Sequence, residues 1–139
     1  MARKERWKQE PDGHDFPAAS DYLTLLLGEP AARAVVERLR AASVTHRKAK
    51  DLLRASGLEL LPADNVHVAK DLAKVKSREK LSPVLVVRGD LASGRPLTVA
   101  DGYHRICASH HLDEDADIPC RLVDAPTGAA QGTAPRKSN

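Results

Sequence analysis

Val84-Leu85-Val86-Val87, Leu97-Thr98-Val99-Ala100, Asp101-Gly102-Tyr103-His104-Arg105-Ile106-Cys107-Ala108 and Ile118-Pro119-Cys120-Arg121-Leu122-Val123 decide the fold. The first run is continuously apolar and largely β-branched, as expected of a strand covered on both faces. Gly89 to Gly94 form a turn, and Leu97 to Ala100 make a second strand. A short helix is expected from about Tyr103 to His111. Ile118 to Val123 is a last strand, opened by Pro119 where no ladder donor is needed.

Upstream, the periodicity turns helical. Tyr22, Leu23, Leu26 and Leu27 share a face of a helix over 17–27 that Gly28 stops. Pro30 opens a second helix, whose stripe is Ala32, Val35, Val36 and Leu39. Thr45 can cap a third, burying Ala49, Leu52 and Leu53 and ending at Gly57. Leu58 to Leu61 reads as a short strand. Asp64 or Asn65 caps a fourth helix carrying Val68, Leu72 and Val75. The expectation is an α+β domain, a small mixed sheet packed with helices and preceded by an N-terminal helical region.

The domain is expected over 15–124, with 1–14 a flexible arm and 125–139 a disordered tail rich in Gly, Ala, Pro, Thr and Ser. The 139 residues suffice for one core and are too few for two. Aromatics are 3%, too sparse for a surface that stacks single-stranded bases. A formal net charge of +3 permits a phosphorylated or nucleic-acid partner without requiring one. Cys107 and Cys120 form no Cys-x-x-Cys pair, so reduced thiols and a cytoplasmic location are expected. No apolar run approaches the ~18 residues of a membrane helix, and none follows the charged N-terminus as in a signal peptide.

The strand–Asp-Gly–helix turn carries the chemistry. Asp101 can cap the helix, and Gly102 permits a tight turn with close ligand approach. The amides of Gly102, Tyr103, His104 and Arg105 then lie at a helix N-terminus, where unpaired N–H groups and the dipole attract anions. Arg105, with a protonated His104, opposes that dipole at a cost of roughly 0.3–1 kcal/mol each. A phosphate would reverse the sign, because Arg105 can donate two charge-assisted hydrogen bonds to it. The competing reading is an ordinary turn with Asp101 as cap and Arg105 in solvent.

Lys80-Leu81-Ser82-Pro83 before the first strand, the Gly102-Tyr103-His104-Arg105 turn and the Ile118-Pro119 strand together resemble the core of the ParB/sulfiredoxin superfamily. The likeness covers about half the chain, including the helix around 66–78. It implies a nucleotide triphosphate, ATP or CTP with Mg²⁺, bound through Gly102, Tyr103, His104 and Arg105, with Lys80 and Ser82 lining the site. It also implies catalytic roles for Asp101, His104 and Arg105 in a phosphotransferase or nucleotide hydrolase. Asp101 is the candidate Mg²⁺ partner or general base, and its role as cap stays open. Tyr103 stands where sulfiredoxins place their reactive cysteine, so sulfinic-acid reduction is not expected. The helix-turn-helix domain of ParB has no counterpart in this sequence.

Arg47, Lys50 and Arg54 would form one basic stripe on the third helix, suited to closing over a nucleotide or contacting nucleic-acid phosphates. That stripe supports the alternative of a non-catalytic DNA-, RNA- or protein-binding module. Asp113 to Asp117 is an acidic turn lacking the Gly and terminal Glu of a calcium loop.

Overall fold

The computed structural model describes residues 5–126. In chain order its elements are β1 (Arg6–Trp7), α1 (Asp15–Leu27), α2 (Glu29–Ala41), β2 (Val44–Lys48), α3 (Ala49–Ser56), α4 (Val66–Lys76), β3 (Lys80–Leu81), β4 (Val84–Val87), β5 (Thr98–Asp101), α5 (Tyr103–Leu112) and β6 (Asp117–Val123). The fold is α+β, with a four-stranded sheet ordered β2-β6-β4-β5 and a two-stranded parallel ribbon of β1 with β3. In the main sheet only β4 and β6 run parallel.

Side-chain alternation along the strands builds two cores. Leu85, Val87, Ala100 and Val123 face α1 and α2, where Phe16, Leu23, Val35 and Leu39 are buried. Val84, Val86, Ile118 and Cys120 face α3, α4 and α5. All four residues of β4 are buried because it is an interior strand with helices on both sides, as its continuous apolar run implies. β6 starts at Asp117, not at Pro119: Pro119 pairs with His46 inside the β2 ladder and precedes only the parallel ladder to β4, which begins at Cys120.

Four expectations need correction. Residues 44–48 are an edge strand, not the start of a helix, and α3 begins only at Ala49. Leu58 to Leu61 forms no strand. Among the described residues of the arm, 5–14 are docked. β1 pairs with β3, the Lys8 amide donates to the Leu81 carbonyl at 2.8 Å, and the Asp12 amide donates to the Ser82 hydroxyl at 2.9 Å. At the other end Ala125 packs against the first core, and the tail from residue 127 lies outside the described residues. No helix among the described residues is long and apolar enough to cross a membrane.

Candidate functional site

β5 delivers Asp101 to the sheet edge, and α5 starts two residues later. The register shifts opposite Leu85 and Val86, leaving Ala100 as an extra residue just before Asp101. Gly102 turns the chain at φ +112°. A Cβ there would lie 2.4 Å from Val84 Cγ1, so both backbone angle and space require glycine.

Asp101 does not cap α5, and no other side chain among the described residues caps it. Its carboxylate instead accepts from Arg105 Nη2 at 2.6 Å. Arg105 Nη1 donates to Asp15 Oδ2 at 3.2 Å and to the Ser82 carbonyl at 3.0 Å. Three bonds therefore tie the guanidinium to protein acceptors, and its side chain is only 13% exposed. Arg105 therefore does not stand in open solvent but is held by two carboxylates and a backbone carbonyl. The Ser82 hydroxyl donates to Asp15 Oδ2 as well, fixing a carboxylate that is 6% exposed.

Burial pushes the Asp101 carboxyl up to about 6, against the pull of Arg105 and reinforced by the negative charge of Asp15. The group therefore exchanges its proton close to neutral pH, as a general acid or base needs. Burial, with His67 alongside at 4.7 Å between ring centroids, lowers His104 below the usual imidazole range. The shift favours the uncharged imidazole over a second cation in the first turn.

These groups surround a cavity of about 360 Å³ lined also by Lys80, Asp71 and the arm residues Lys8, Asp12 and His14. Lys80, Ser82, Asp101, Gly102, His104 and Arg105 are brought together as expected. Tyr103 is not part of the lining, because its hydroxyl donates to the Glu59 carbonyl at 2.6 Å. Cys107 is buried one turn into α5, and burial raises its thiol.

The structure also assembles a donor group absent from the sequence reading. One ligand atom each from Asp12, His14 and Asp15 lies within 4.8 Å of the others, while Asp101 is outside this group. The signal was the short spacing of Asp12, His14 and Asp15, hidden because the arm has no apolar pattern. Two carboxylates suit Mg²⁺ completed by phosphate oxygens, and the imidazole suits Mn²⁺ or Zn²⁺ equally well.

The basic stripe is broken. Arg47 stands on β2, Lys50 pairs with Asp115 at 2.7 Å, and Arg54 pairs with Asp51 at 3.2 Å. The acidic turn at 113–117 thus has a local cation, and the Lys50 amide donates to the Glu114 carbonyl. No protein-family model, curated protein or solved structure matches the chain.

Proposed function

We propose that the cavity at the start of α5 binds a nucleotide triphosphate through metal-complexed phosphates, in the manner the ParB/sulfiredoxin likeness implies. The observation that carries this reading is a helix N-terminus with no side-chain cap, opening on a polar cavity large enough for a phosphate chain. The amides of His104 and Arg105 supply donors, and the side chains of Lys80 and His104 flank them.

Charge explains the need for metal. The lining carries five carboxylates, from Asp12, Asp15, Asp71, Glu79 and Asp101. Against them stand four lysine or arginine side chains, of which Arg105 is committed to Asp15 and Asp101. With the Asp101 and Asp71 carboxyls both raised by burial, the lining is close to neutral and gives a bare polyphosphate no net attraction; a divalent ion on Asp12, His14 and Asp15 would supply it. Asp101 is then the proton acceptor for a phosphoryl-transfer or hydrolysis step, and Arg105 is its positioning partner.

The test is a thermal-shift and calorimetric titration of ATP, CTP and GTP, each with and without Mg²⁺ or Mn²⁺. A ligand at one hundred times its Kd stabilises the fold by about 2.7 kcal/mol. Stabilisation is expected only with nucleotide and metal together. Lys80→Ala is expected to weaken it, and Asp12→Asn to remove the metal dependence. No response to any nucleotide in any metal, or a response that both variants retain, refutes the reading. Turnover of the bound nucleotide separates an enzyme from a binding domain.

A further inference from the structure

A second cavity, of about 470 Å³, lies at the other end of the sheet. α5 begins beside Val84, where β4 starts; this cavity sits at Val86 to Gly89, where β4 ends. Its walls include Leu52 and Ala55 of α3, Val86, Leu97 and Leu122. Leu91, at the hairpin tip, is 99% exposed on its lip.

Charged groups edge this apolar interior, and most are already matched. Arg88 pairs with Asp124 at 2.7 Å, Asp51 with Arg54, and the Asp90 carboxylate accepts from the Ala92 amide. Arg47 and Arg95 are different: neither side chain has a hydrogen bond or ion pair with any described residue. Both are nonetheless well placed. Arg47 projects from β2 on the face it shares with its register partner Ile118. Arg95 is fixed by paired backbone bonds with Asp90, at 2.8 and 2.9 Å. The Leu97 amide donates to the Ala55 carbonyl at 3.0 Å, joining the hairpin to α3.

We infer that this cavity binds an amphipathic organic carboxylate, its hydrocarbon body against Leu52, Val86, Leu97 and Leu122 and its headgroup on Arg47 and Arg95. A concave apolar site with a few convergent polar groups is the usual form of a small-molecule pocket. Guanidinium is the side chain best matched to carboxylate geometry. The volume accommodates a medium-length alkyl or an aryl acid. This site shares no residue with the proposed nucleotide site and stands or falls separately from it.

The experiment is a titration of the full chain with octanoate, octanol and octylammonium, followed by calorimetry and by amide NMR shifts. Octanoate is expected to saturate one site with shifts centred on 52–55, 86–89 and 95–97. Octylammonium is expected to bind at least roughly tenfold more weakly, with octanol between them. Arg47→Met and Arg95→Met, both at the edge of the cavity, are each expected to weaken octanoate roughly tenfold or more. Arg33→Met, on α2 and paired with Glu29, changes the net charge equally and is expected to leave affinity unchanged. Ala55→Trp is expected to fill the cavity and block all three probes. The inference is overturned by any of three results: no saturable octanoate binding, octylammonium binding as tightly, or Arg47→Met and Arg95→Met behaving like Arg33→Met.

Discussion

Replacing Arg105 with Met removes the positive charge shared by two adjacent carboxylates and keeps most of the side-chain volume. Asp15 and Asp101 are 6% and 21% exposed, so water can do little to replace the guanidinium. Stranding a buried partner typically costs about 3–5 kcal/mol. For a chain of this size that lowers Tm by roughly 10–20 °C. The pH dependence identifies the cause. Asp101 already ionises near 6 because burial and Asp15 oppose its charge, and Arg105 is the group that favours ionisation. Without Arg105 the folded Asp101 carboxyl keeps its proton to still higher pH, while the unfolded carboxyl releases its proton near pH 4. The folded state then binds more protons than the unfolded state, so stability falls as pH rises through that window. The penalty should be small near pH 4.5, grow steadily towards pH 8, and shrink when Asp101→Asn is added. Urea unfolding of wild type, Arg105→Met and the double variant across this range measures it. An equal penalty at both pH values, or no relief from Asp101→Asn, refutes the electrostatic account.

Gly102→Ala combines a positive φ with overlap onto Val84, and is expected to cost about 2–4 kcal/mol in urea unfolding. Ser82→Ala removes the acceptor for the Asp12 amide and the donor to Asp15. Hydrogen exchange should show faster exchange across 8–12 and a global loss of about 1–3 kcal/mol. Arg121 is buried and its Nη1 donates to the Leu39 and Arg40 carbonyls in the last turn of α2. Arg121→Met should cost about 1–3 kcal/mol, read in urea unfolding, and lower protection in the last turn of α2. Burial raises both Cys107 and Cys120, so neither thiol should react with an aromatic disulfide reagent until the protein unfolds.

What could be read from the sequence was what neighbours along the chain decide. Val84 to Val87 announces an interior strand, and Val35, Val36 and Leu39 a buried helix face, because the pattern itself records the burial. Val44 to Lys48 could not be read that way. It is an edge strand whose outer residues are exposed, and its identity comes from pairing with Asp117 to Arg121, far along the chain. The arm was misjudged for the same reason. It is held by backbone bonds to Leu81, by the Ser82 hydroxyl and by a single apolar residue, Trp7, against the second core, and one residue makes no readable apolar pattern.

The Arg105 case follows the same rule and changes the reasoning about anions. A cation in the first turn of a helix does signal a negative partner, and the partner present is Asp15, 90 residues earlier in the chain, together with Asp101. This pairing weakens Arg105 as a phosphate ligand, yet it has a second effect. A carboxylate engaged by Arg105 is not capping α5, and the first-turn amides have no side-chain acceptor among the described residues. On the proposed function, the guanidinium holds the Asp101 carboxylate away from these amides and so leaves them open to an anion. Arg105→Met should then weaken nucleotide binding near pH 8 by freeing Asp101 to cap the helix. Asp101→Asn added to Arg105→Met should not restore it, because asparagine caps as well as aspartate. Asp101→Ala added to Arg105→Met should restore it in part, since alanine neither caps nor carries charge. Calorimetric titration of the three variants with nucleotide and metal distinguishes them, and equal affinities would show that the missing cap has no part in binding.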